Sequence, residues 1–101
     1  MKVELIIPAQ DNDGSDNSAI ITAAIKDMCQ LYGGATVYDA AGYWINDNGH
    51  LYEDAVKVLV SAATKPDEAK AELTKLARDI LDATDQEAVF VSVGGDAEII
   101  E

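Results

Sequence analysis

The period of the hydrophobic pattern switches between two and about 3.6 along this chain, and the order of those switches limits the fold more than any single residue does. Lys2 to Ile7 alternates, with Val3, Leu5 and Ile7 on one side, and stops at Pro8, which reads as a strand ended by a proline. A polar stretch, AQDNDGSDNS, leads into Ile21, Ala24, Ile25, Met28, Leu31 and Tyr32 at helical spacing, and Gly33-Gly34 supplies a left-handed stop. Ala35 to Ile45 and Leu51 to Ala62 are rich in β-branched and aromatic residues and flank NDNGH, whose Asn-Gly pair suits positive φ, so two strands joined by a hairpin are expected. Ala40, Ala41 and Gly42 suggest a bulge or a close backbone approach in the first of them. Thr64 to Asp67 has the form of a capping box with Pro66 in the first turn, and Ala69, Leu73, Leu76, Ala77, Ile80 and Leu81 mark a second helix ending near Ala83. AVFVSV is a further strand, broken by Gly94-Gly95 before an extended tail.

The order β-α-β-β-α-β in a single domain spanning residues 1–101 predicts an α+β, ferredoxin-like sandwich, a four-stranded antiparallel sheet with two helices on one face. Val3, Leu5, Ile7, Val56, Val58, Val60, Val89, Val91 and Val93 are expected to face the helices. The open face is then expected to carry Lys2, Glu4, Ile6, Glu53, Ala55, Lys57, Leu59, Phe90 and Ser92. Tyr38 and Trp44 share a phase, and if they join Ile6, Leu59 and Phe90 the open face is apolar enough to want a partner. A homo-oligomer is therefore expected.

Nineteen acidic against seven basic residues give a net charge of −12, which disfavours direct binding of nucleic acid or of an anionic membrane surface. The single cysteine, Cys29, leaves nothing for a disulfide or a zinc site, and its place in a helical pattern reads as a small buried apolar residue. VELIIP is too short, and too interrupted by Glu4, for a signal-peptide core, so a cytoplasmic location is expected by default.

TVYDAAGYWINDNGHLYED, from Thr36 to Asp54, holds the only Trp, the only His, three of the four Tyr and four carboxylates. From it Tyr38, Asp39, Tyr43, Trp44, His50 and Glu53 are the candidate ligand-binding residues, with Tyr38, Tyr43 and Trp44 as aromatic walls around a polar group. Asp39 is expected either to meet Lys57 across the strand pair or to serve that pocket. Asp11, Asp13, Ser15 and Asp16 around Gly14 have the oxygens of a calcium loop but not its spacing, so an ordinary loop and helix cap is expected and no metal site. No Walker loop, Ser-His-Asp set, zinc spacing or flavin fingerprint occurs, so no cofactor is expected and no catalytic residue is assigned.

Gly34, Thr36, Val37, Asp39, Gly42 and Trp44, then Gly49, then Glu53 or Asp54 before Lys57, form a pattern that resembles a bacterial domain-of-unknown-function family with a G-x-T-V-x-D-x-x-G-x-W strand. The resemblance implies the same order of elements and carries over no catalytic residue.

These features lead to the expectation of a non-enzymatic, oligomeric binding protein that holds a small molecule or a protein partner through the hairpin and the open sheet face. Two alternatives stand beside it. One is a small cofactor-independent enzyme of the dimeric α+β barrel type, with His50 or Asp39 as proton acceptor. The other is an acidic inhibitor or nucleic-acid mimic.

Overall fold

The computed structural model describes all residues from Met1 to Glu101. The elements are β1 (Lys2–Pro8), α1 (Ser18–Tyr32), β2 (Thr36–Ile45), β3 (Leu51–Ala62), α2 (Pro66–Ala83), β4 (Val89–Val93) and β5 (Asp96–Ile100). The domain is α+β, with two helices and one antiparallel sheet of five strands in the order β2-β3-β1-β4-β5. The expected four strands are thus one too few. The tail after Gly94-Gly95 pairs with β4 as β5, because both glycines take positive φ (58° and 95°) and close the tight two-residue turn whose twist matches paired strands. No helix is long and apolar enough to cross a membrane.

The core lies on one face of the sheet. Val3, Leu5 and Ile7 of β1 are fully buried against Met28 from α1 and Leu73, Ala77 and Ile80 from α2. Those helical residues recur three or four positions apart, which places them on one stripe of each helix. Cys29 lies one position beyond the buried Met28, about 100° further round the helix, and is exposed rather than buried as expected. The alternation within α1 does not distinguish the two positions, since the stripe is set by where the sheet lies.

The expected phase of β3 is also corrected. The register pairs Leu5 with Leu59 and Val3 with Ser61, and directly paired residues share a face, so Leu59 joins the core at 0% exposure. Val56, Val58 and Val60 therefore lie on the open face beside Ile6 and Tyr38. The run VKVLV is apolar in both phases, so alternation alone leaves its orientation undetermined.

Helix capping departs from the sequence expectation at the start of α2. At α1, Asn17 makes no side-chain cap, and Asp16 instead accepts the Ser18 amide (3.1 Å) and hydroxyl. The Thr64–Asp67 capping box does not form. Lys65 is the residue at the helix start, Pro66 follows, and Asp67 and Glu68 place negative charge against the helix dipole. Gly33, at φ 84°, donates to the Cys29 carbonyl and ends α1 as expected.

Beyond Pro8 of β1, which pairs with Val56, strands β2 and β3 continue without a third strand to the Ile45↔Leu51 pair. The sheet therefore ends in a two-stranded arm, and the molecule measures 42 × 26 × 23 Å. No bulge interrupts the arm. The pairing is continuous from Thr36↔Val60 to Ile45↔Leu51, and Gly42 allows close passage, since a Cβ there would sit 3.4 Å from Val56 Cγ1. At the tip only Gly49 takes positive φ, and Asn46 Oδ1 accepts the amides of Asn48 (3.0 Å) and His50 (2.9 Å). The side chain of Asn46 thus builds the turn.

Candidate functional site

A cleft of about 310 Å³ opens where the arm leaves the body of the sheet. Its walls are Pro8, Gln10, Asp11 and Asn12 after β1, Trp44 of β2, Tyr52 to Ala55 of β3, and Gln86 after α2. It is less open than the broader depressions beside Tyr32 to Thr36 and on the outer side of α2.

The hairpin register builds the aromatic wall. Trp44 and Tyr52 are direct partners across the ladder, and their rings stack 4.3 Å apart at 13°. Trp44 Nε1 donates to Asp54 Oδ2 at 2.9 Å, which ties the indole to the strand beside it. His50 tilts against Tyr52 with centroids 4.4 Å apart, on the far side of the stack from the body of the sheet.

Two loops distant in sequence form the floor. Asp11 accepts from Asn17 Nδ2 (2.9 Å), Gln86 Nε2 (3.3 Å) and the Asp85 amide (3.3 Å). In return Asp85 accepts the amides of Asn12 (2.9 Å) and Asp13 (3.2 Å). Donation by Asn17 is the main reason the Asp11 carboxyl is held below the usual range, against the opposing effects of desolvation and the nearby Asp13. The carboxylates of Asp11, Asp13 and Asp85 approach within 4.8 Å of one another, and each accepts hydrogen bonds from the loops themselves, Asp13 through Oδ1 from the Ser15 amide and hydroxyl. That donor pattern describes a loop clasp.

Of the residues expected from sequence, Trp44 and Glu53 lie on the cleft. Tyr38 shares the phase of Trp44 but sits further along the open face opposite Val58. Asp39 and Tyr43 alternate to the other side of β2. Asp39 pairs with Lys57, its partner across the ladder, and with its side chain 79% exposed this ion pair contributes little. The sequence reading therefore joined residues that a strand separates by face, and it omitted Asp11, Gln86, Tyr52 and Asp54. Tyr52 and Asp54 were available from the same alternation once the hairpin pairing is drawn. The Asp11 and Gln86 contributions depend on a meeting of loops that no local pattern marks.

Fold and site together define an α+β domain with an acidic, aromatic-walled cleft at one end of its sheet. No protein-family model and no curated protein matches the chain. Among solved structures it is similar to a phage SAM lyase in its apo state, with a TM-score of 0.73 at 13% identity, covering 98% of this chain and 86% of that one. It is equally similar to a phage SAM lyase in complex with S-methyl-5'-thioadenosine, with a TM-score of 0.73 at 12% identity, covering 98% and 87%. The shared architecture overturns the expectation of a non-enzymatic binding protein, because the neighbours on this fold are enzymes. Absence of a familiar motif in the sequence is therefore no argument against catalysis on this fold.

Proposed function

We propose that this chain is a lyase acting on S-adenosylmethionine at the cleft between the arm and the two loops. The observation that carries the reading is the composition of that cleft on this fold. Asp11 and Asp54 supply carboxylates, Trp44 and Tyr52 supply a flat aromatic surface, and neither Lys nor Arg lines it. S-adenosylmethionine has the complementary parts, a planar adenine and a sulfonium and an ammonium cation. Aromatic faces attract both planar bases and cations, and carboxylates accept from an ammonium group.

The chemistry is self-contained. When the bond between sulfur and the γ-carbon of the aminobutyryl chain breaks, its electron pair neutralises the sulfonium and S-methyl-5'-thioadenosine leaves as an uncharged thioether. The ligand's own carboxylate closes on the γ-carbon to give the protonated aminolactone, so neither water, metal nor redox partner enters the balance. In this reading the protein's task is to hold the aminobutyryl chain folded for internal attack, which is catalysis by positioning. Asp11, held ionised, serves as an electrostatic anchor. Incubation with S-adenosylmethionine, followed by chromatography for S-methyl-5'-thioadenosine, tests the reading; substrate that decays no faster than in buffer removes it.

We further read β1 to β4 with the two helices as ferredoxin-like, β5 being an added edge strand. Self-association through the arm and the open sheet face belongs to the same proposal. Tyr43, Ile45 and Leu51 are 60%, 64% and 61% exposed on a two-stranded ribbon, a structure with marginal stability by itself. Sedimentation equilibrium is expected to give a mass above the 10.7 kDa of one chain. A mass of one chain across the accessible concentration range contradicts self-association.

A further inference from the structure

We infer that Asn17 is a positioning residue for the cleft. It grips the Asp11 carboxylate from within the fold and leaves one acceptor position of that carboxylate free to select the cationic end of the ligand. The identity of the ligand rests on the lyase reading above, while the positioning itself rests on geometry alone.

Asn17 is a polar residue with 1% exposure, buried at the start of α1. A buried amide is costly unless its donors are used, and both uses here are specific. Its Nδ2 donates to the Pro8 carbonyl at 3.1 Å and to Asp11 Oδ1 at 2.9 Å. Its backbone amide donates to the Ala9 carbonyl at 3.0 Å, and its own carbonyl accepts from Ile21 at 2.9 Å. Asn17 thereby fixes the end of β1, the start of α1 and the Asp11 side chain in one frame. Since it does not cap α1 with its side chain, the usual reason for an Asn at a helix start is absent.

A carboxylate offers about four lone-pair positions. On Asp11, Asn17 and Gln86 engage Oδ1 and the Asp85 amide engages Oδ2, which leaves about one position on Oδ2. The charged groups near it are acidic: Asp13 and Asp85 stand beside it in the clasp, and Glu53 and Asp54 of β3, which alternate in face, border the same cleft. A cationic N–H donor fits such a position, whereas a neutral thioether gains nothing there. The same arrangement distinguishes the charged substrate from its uncharged nucleoside product.

The test uses the full chain with S-adenosylmethionine and S-methyl-5'-thioadenosine as probes in calorimetry, and follows the Asp11 carboxyl by NMR titration without ligand. Asn17→Ala is expected to weaken S-adenosylmethionine about tenfold, the effect of losing one charge-assisted contact, with the neutral probe changed less than about twofold. The Asp11 midpoint is expected to rise, because the donor that most favours its ionised form is gone. Gln86→Leu removes a weaker donor from a half-buried site and is expected to act in the same direction by less. It keeps the test usable if Asn17→Ala does not fold. Equal weakening of both probes, or an Asp11 midpoint unmoved in either folded variant, overturns the inference. If the unaltered protein binds neither probe, the lyase reading falls, and the ligand-free midpoint decides the positioning role separately.

Discussion

Trp44→Ala is expected to weaken S-adenosylmethionine binding by about 1–3 kcal/mol, roughly 5- to 150-fold in Kd, which is the usual worth of stacking a base on an aromatic ring. The substitution removes the cleft's largest flat surface, the stacking partner of Tyr52 and the donor that ties Asp54 in place. Trp44 is 51% exposed on an arm outside the main core, so the melting temperature is expected to move little. Trp44→Phe separates the parts, because it keeps a ring against Tyr52 and drops only the Nε1 donor. Its expected loss is smaller, about tenfold or less, the value of one hydrogen bond to a charged acceptor. Calorimetric titration of the folded variants checks both, and unchanged affinity in Trp44→Ala contradicts the placement of the site.

Leu5→Ala is expected to cost about 2–5 kcal/mol of folding stability, read as a lower urea midpoint at an unchanged slope. Leu5 is fully buried in the central strand, with Leu59 on one side, Val91 on the other and both helices above. Flanking strands hold their spacing, so little collapse can refill the space. Against a total of about 5–15 kcal/mol for a domain, this is a large fraction. Leu5→Met conserves most of the volume and is expected to lose less than about 1.5 kcal/mol. A loss under about 1 kcal/mol for Leu5→Ala contradicts the assigned core.

The order of elements was legible because each segment carries its own period. β1 and β4 alternate clearly, and α1 and α2 each keep a buried stripe. The phase of β3 was not legible. Val56, Val58, Leu59 and Val60 are apolar in both phases, and only pairing with β1 assigns Leu59 to the helices. β5 was read as a tail because DAEIIE is short and half charged, and its strand status comes from the Gly94-Gly95 turn and pairing with β4.

The site was legible in part for a related reason. Asp39 beside Tyr38 suggested a polar group among aromatic rings, yet neighbouring strand residues point to opposite faces, and Asp39 meets Lys57 instead. Asp11, a carboxylate that does line the cleft, sits in a loop whose spacing rejects calcium coordination. Its orientation is set by Asn17 and by Gln86 from 75 residues away in the chain. Contacts at that separation arise only after the sheet has brought the ends of β1 and α2 together.

We propose cleavage of S-adenosylmethionine at the cleft between Trp44 and Asp11. Its most direct test is a time course of S-adenosylmethionine with the unaltered protein, with chromatographic measurement of S-methyl-5'-thioadenosine against a buffer blank and the Trp44→Ala variant. Accumulation is expected well above the blank, equal in moles to the substrate lost and strongly reduced in the variant. Substrate that persists at the blank rate in the presence of folded protein contradicts it.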